Sequence, residues 1–255
     1  MSKNVLCLVV YSMMGVSTVF ASSSRPMLTL ENHFPEQWQV EAGVYGSYED
    51  YDKDEKNNLV DHTAYWGTPY VRVGLLDRLA ATLKVPYGST SMKVGEDGSG
   101  FGDVVAGLQF LAYEDIFHYP FIIPHVEARL NTGDEKKGLG DGANSLTCGL
   151  SVGSVMYDCV TIIVDGRYKF IENVTENYSV GGSVIWDLDT QFALLAEGYV
   201  GSMKREDADE VMRPIYGQAG MVYRATESLD IGLYGGGGKD GAPSVSTTLK
   251  VSYTF

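Results

Sequence analysis

Past residue 20 the chain holds no second long apolar run, so no helix of it is suited to anchor in a bilayer. Helical periodicity is nearly missing as well. Basic residues are in deficit: 19 Lys and Arg stand against 33 Asp and Glu, a formal charge of −14. That balance argues against a nucleic-acid partner, which needs basic patches. Cysteine is scarce. After Cys7 only Cys148 and Cys159 remain. An exported chain could pair them, but strand parity sets them on opposite faces at different heights, and two free thiols are expected. Proline is sparse while glycine and tyrosine are abundant, which suits strands and tight turns.

The first residues, MSKNVLCLVVYSMMGVSTVFASSS, combine a basic Lys3 with an apolar stretch from Val5 to Phe20. The stretch is short and interrupted by Ser and Gly. Val19-Phe20-Ala21 puts small residues where a signal peptidase reads. Residues 1–21 are therefore expected to be a cleaved export signal, and removing Lys3 takes the charge one unit lower. Residues 22–36 are mostly polar with two prolines. They read either as a disordered periplasmic lead or as a peptide tucked into a lumen. Met27, Leu28 and Leu30 lend weight to the second reading, because apolar side chains gain by leaving water.

From residue 37 to 255 the chain breaks into short alternating segments separated by turn residues. Twelve strands are expected, roughly at 37–49, 60–75, 78–88, 100–113, 118–132, 144–156, 159–170, 176–187, 190–202, 211–224, 228–236 and 243–255. Their connections segregate by length. EDYDKDEKNNLVDH, GSTSMKVGEDGSG, TGDEKKGLGDGAN and SMKREDADE are long; LLDR, YEDIFH, MYDC, DLDT and RATES are short. An up-and-down transmembrane barrel has this asymmetry, with long outer loops and tight periplasmic turns. The faces agree. Val160, Ile162, Val164, Tyr168 and Phe170 oppose Thr161, Asp165, Arg167 and Lys169; Ile122, Val126, Ala128 and Leu130 oppose His125, Glu127 and Arg129. Periodicity alone fits a soluble barrel too. Export, aromatic strand ends and the final strand VSTTLKVSYTF ending at Phe255 favour the membrane. The fold expected is an all-β, antiparallel up-and-down transmembrane β-barrel of about 12 strands, in the outer membrane of a Gram-negative-type bacterium. That last strand resembles the signal read by barrel assembly machinery.

From about residue 65 three stretches carry a further likeness: PYVRVGLLDRL at 69–79, GFGDVVAGLQF at 100–110, and PHVEARLNTGDEKKGLGDGANS at 124–145. These resemble the Arg-x-Gly-Leu-x-Asp-Arg turn, the Gly-x-Gly-Asp strand entry and the Thr-Gly-Asp loop of the MetA-pathway phenol-degradation transporter family of outer-membrane barrels. Asn131 departs from it, standing where the family usually has Pro. The resemblance implies passage of small, apolar or aromatic molecules. It carries over no catalytic residues.

The inward-facing charged set is expected to be Glu41, Arg72, Lys84, Asp103, His125, Glu127, Arg129, Asp165, Arg167, Lys169, Glu197 and Lys250. Rings of charge set selectivity in pores; the same charges could instead pair into a plug. His125 with Glu127 reads as an acid–base pair or, more simply, as polar wall. No His has a Ser two residues on, so an enzyme is not expected. The acidic runs Glu49, Asp50, Asp52, Asp54, Glu55 and Glu206, Asp207, Asp209, Glu210 could hold Ca²⁺ or bridge to lipopolysaccharide, but they lack a full calcium-loop spacing and read first as a solvated rim. GFGD, GLGDG and GGGG precede no helix, so they read as turns or bulges rather than phosphate loops. Asn173-Val-Thr and Asn177-Tyr-Ser match a glycosylation pattern of no consequence in such a membrane. No metal or organic cofactor is implied. The expected partners are membrane lipid, lipopolysaccharide, the assembly machinery and a small solute. The expected function is passive passage of small solutes; the alternative is a closed structural barrel whose acidic loops meet partners.

Overall fold

The computed structural model describes residues 25–52, 61–92, 97–115, 120–172, 174–205 and 211–255. The expected leader, Asn173, and Asp54, Glu55, Glu206, Asp207, Asp209 and Glu210 lie outside the described residues. Twelve antiparallel strands close into one barrel. They are β1 (Val40–Tyr51), β2 (His62–Leu76), β3 (Leu79–Lys84, continued by Tyr87–Met92), β4 (Gly98–Phe101, continued by Val104–Phe110), β5 (Phe121–Leu130) and β6 (Ser145–Met156). Then follow β7 (Val160–Ile171), β8 (Val174–Asp187), β9 (Phe192–Arg205), β10 (Ile215–Arg224), β11 (Leu229–Lys239) and β12 (Val245–Thr254). β1 pairs with both β2 and β12, which closes the ring.

The two breaks, at Val85-Pro86 and Gly102-Asp103, lie side by side. Pro86 has no N–H for the ladder, and its carbonyl instead accepts from the Gly102 N–H at 2.8 Å. The GGGG run corrects an expectation: it is neither turn nor bulge but part of β11. A Cβ at Gly236, Gly237 or Gly238 would fall 2.3–2.5 Å from a neighbouring carbonyl oxygen, so only glycine allows those approaches. Glu49 and Asp50, expected in a rim loop, lie inside β1.

Alternation sorts the side chains as the pleat requires. Val44, Val71, Leu83, Leu108, Leu150, Val164, Val180, Leu194, Leu233 and Leu249 face outward and are exposed. Aromatic pairs flank them: Tyr168 with Phe170 and Tyr253 with Phe255, at centroid distances of 4.7 and 4.8 Å. An exposed apolar band between aromatic ends is what a barrel shows to lipid. Cys148 belongs to this outer face while Cys159 is buried, and neither takes part in a disulfide.

Inside, the chemistry changes with height. At the short-turn end Leu111, Phe121, Ile123, Ile163, Ile185, Ala193, Leu195, Val222 and Tyr234 form a buried apolar cluster. Toward the long-loop end the inward residues are mostly polar or charged.

Candidate functional site

The segment before β1 enters the barrel and packs on that inner cluster. Met27, Leu30 and Phe34 sit against it, and burial of each such side chain contributes roughly 1.5–3 kcal/mol. An extended peptide inside a barrel must also satisfy its own polar groups. The Met27 and Leu28 N–H groups both donate to Glu197, at 3.0 Å. Thr29 Oγ1 meets Ser183 Oγ at 2.8 Å. The Arg25 carbonyl accepts from Tyr234 OH at 2.7 Å. Arg167 donates to the Leu28 carbonyl, and Arg72 Nη2 to that of His33 at 2.6 Å. The segment leaves over Gly74, where a Cβ would fall 2.0 Å from the Glu36 carbonyl oxygen. That glycine, in the Arg-x-Gly-Leu motif, lets the chain cross β2.

The plug is pinned by charge as well. Arg25 Nη2 lies 2.6 Å from Glu31 Oε1, and its Nη1 binds Asp187. Burial opposes ionisation of Glu31, but Arg25 and His33 beside it outweigh burial and hold its carboxyl well below the usual carboxylate range. Arg25, Glu31 and Asp187 were not singled out from sequence. The visible signal was one cation and one acid within an apolar-dotted lead.

Above the plug lies a chamber of about 160 Å³, floored by Pro26, Met27, Thr29 and Leu30. Its wall holds Glu41, Arg72, Lys84, His125, Glu127, Arg167 and Lys250, with Tyr45 and Tyr70 between them. Most of these charges are paired. Arg72 Nη1 is 3.5 Å from Glu41, which also accepts from Tyr70 OH at 2.7 Å. Lys84 is 3.3 Å from Glu127. His125 Nε2 is 3.0 Å from Asp165, which also accepts from Ser151 Oγ and Arg167 Nε. The Ser151 hydroxyl thus meets the carboxylate rather than the imidazole, an arrangement without an activated nucleophile. Glu197 faces inward lower down, spent on the plug and on Gln218 at 3.1 Å.

The chamber shares Tyr45, Lys84, Val105 and Glu127 with an outer vestibule of about 440 Å³. Asp103 and Arg129 line the vestibule. Asp103, in the break of β4, accepts from the N–H groups of Thr132, Gly133 and Asp141 at 3.1, 3.0 and 2.8 Å. It ties the 131–144 loop to the strand break. Lys169 closes the other side, 2.7 Å from Asp141, and Arg129 is 3.7 Å away. Burial again works against the Asp141 carboxylate, and Arg129 and Lys169 hold it below its ordinary range. Of the twelve residues named from the sequence, seven line the chamber, Asp103 and Arg129 line the vestibule, Lys169 binds Asp141 there, Glu197 holds the plug and Asp165 stands behind His125.

No protein-family model matches the chain, and no curated protein matches its sequence. Solved structures do match in shape. The COG4313 outer membrane channel from Pseudomonas putida F1 superposes with a TM-score of 0.68 at 13% identity, over 94% of this chain and 100% of that one. The KdgM porin gives 0.58 at 9% identity, over 84% and 99%. The NanC porin gives 0.57 at 11%, over 83% and 98%. At such identities the likeness speaks to fold, and the chain is a twelve-stranded barrel similar in fold to outer-membrane channels and porins.

Proposed function

We propose that this protein is an outer-membrane channel for passive passage of small solutes, exported by a cleaved leader and acting without catalysis. The observation that carries this reading is the adjoining vestibule and chamber, which share wall residues, are lined by charged and tyrosine side chains, and end on the N-terminal peptide and the apolar cluster beneath it. Inward charges, chiefly Arg72, Lys84, Glu127, Arg129, Arg167 and Lys250, would set selectivity. The motif resemblance to the MetA-pathway transporters supports apolar or aromatic solutes, and Met27, Leu30 and the tyrosines suit them. Lipopolysaccharide around the rim and assembly machinery at the strand ending in Phe255 complete the expected partners.

The test is single-channel conductance of the refolded protein in a planar bilayer under a salt gradient. Discrete steps are expected, and the sign of the reversal potential reports whether basic or acidic side chains dominate the path. An inserted but silent barrel would sink the reading. It would favour a closed structural barrel, the second reading, which draws on the extent of pairing around Arg25, Glu41 and Asp165.

A further inference from the structure

Two buried donors in the chamber wall have nothing to bind. Among the described residues, Arg72 Nε and Thr82 Oγ1 have no hydrogen-bond partner. Both residues line the chamber, and they are direct neighbours across the β2–β3 ladder. Buried donors are rarely left unmatched, because water has been given up and nothing returned. The rest of the Arg72 guanidinium is fixed: Nη1 on Glu41, Nη2 on the His33 carbonyl and on Gln109 Oε1 at 3.2 Å. Its remaining N–H edge and the Thr82 hydroxyl together call for an acceptor from outside the protein.

Charge and surface say what kind. The chamber holds four cations, Arg72, Lys84, Arg167 and Lys250, against Glu41 and Glu127 in the wall and Asp165 behind His125. Asp230 also stands beside Lys250, so the cations outnumber the acids only among the lining residues themselves, where an anion would meet them. Met27, Leu30, Val105, Tyr45 and Tyr70 supply apolar and aromatic surface beside it. A space of about 160 Å³ is comparable to a cavity that takes up benzene, which suits a small aromatic molecule. We propose that the chamber is a binding site for a small organic carboxylate, its oxygens accepting from Arg72 Nε and Thr82 Oγ1 and its apolar body resting on Met27, Leu30 and Tyr45. The site rests on the channel reading for its route of entry, and binding itself is separable from conduction.

Calorimetric titration of the whole barrel in lipid nanodiscs tests it, with benzoate as probe and benzamide as its neutral isostere. Benzoate is expected to bind saturably and about tenfold or more tighter than benzamide, as a site built around donors and charge requires. Arg72→Lys keeps the charge and loses the Nε–H edge; Thr82→Val keeps the shape and loses the hydroxyl. Each is expected to weaken benzoate by about threefold to tenfold and to leave benzamide unchanged. Should Arg72→Lys fail to fold, the near-isosteric Thr82→Val carries the test. Equal affinity for the two probes, no binding, or benzoate binding indifferent to Thr82→Val overturns the site. Bilayer current separates the two readings: conduction without benzoate binding removes the site and leaves the channel, whereas benzoate binding in a silent barrel leaves the site and removes the channel.

Discussion

The two halves of the lumen are built on the same strands and the same inward parity, yet one is packed and the other is hollow. At the short-turn end Phe121, Ile123, Ile163 and Ile185 are fully buried under Met27, Leu30 and Phe34. A few residues along the same strands the inward positions become His125, Glu127, Asp165 and Arg167, and the space opens. Packing in the first half is that of a soluble core, where each side chain has neighbours on every side. In the second half, ion pairs hold the wall but leave the centre empty. The lesson is that alternation decides which way a residue points, while height along the strand decides whether it meets a peptide or a void.

The sharpest way to break the comparison is to delete residues 25–34. The packed half then becomes hollow like the other. Conductance steps are expected to grow several-fold, and the melting temperature to fall as the apolar cluster meets water. Unchanged steps would mean the peptide does not limit the path.

Paired truncations measure the same contrast locally. Phe121→Ala in the packed half is expected to cost about 3–5 kcal/mol, because the cavity cannot collapse. Thr147→Ala in the chamber wall is expected to stay within about 0.5 kcal/mol. Denaturant unfolding of the two variants in micelles reads both. Similar costs would erase the distinction.

A smaller effect is expected from Asp103→Asn at the vestibule. The carboxylate holds three backbone N–H groups of the 131–144 loop, and hydrogen bonds to charged groups contribute about 1.5–3 kcal/mol each. The amide keeps one accepting oxygen, so part of that is retained. Limited proteolysis should cut this loop faster in the variant while the melting temperature moves little. An equally resistant loop would show that Lys169 and Asp141 suffice to hold it.

Much of this was legible beforehand. The barrel and its strand count followed from period-two alternation and loop parity. The packed half did not. Ile163 shares its face with Thr161, Asp165 and Arg167, and Ile123 with His125 and Glu127. The polar residues of that face hid the apolar ones, since a lumen is expected to be polar throughout. The peptide that covers them could be read from its own leucines only as one of two alternatives. Its partners, Asp187, Glu197 and Tyr234, lie more than 150 residues away in sequence, a distance no local pattern spans. The strand breaks were half visible: Gly102-Asp103 stood out, but Asp103 as anchor of a loop depends on a register that only the folded sheet sets.

The finest contrast between the halves is their response to acid. The plug is held by the Arg25–Glu31 pair, with the Glu31 carboxyl depressed below its ordinary range. A depressed carboxylate contributes stability that is fully present above its unfolded value, near about 4.3 for Glu. That stability is lost only as the pH falls through the lower folded value. The Arg25–Glu31 pair is therefore expected to contribute no change in conductance from about pH 7 to about pH 5, above the unfolded carboxylate range. Through this pair conductance should rise only under stronger acid, when Glu31 takes up a proton and Arg25 keeps its charge. Glu31→Gln should remove this dependence, because the neutral amide leaves Arg25 with Asp187 alone and loosens the peptide at every pH. The vestibule's Asp141 predicts no step of its own there, since it is likewise held ionised by Arg129 and Lys169. A rise already between pH 6 and pH 5 in the wild-type barrel, absent from Glu31→Gln, would place the acid response in the plug at a higher pH than the pair allows, and the electrostatic account of the closed half would fail.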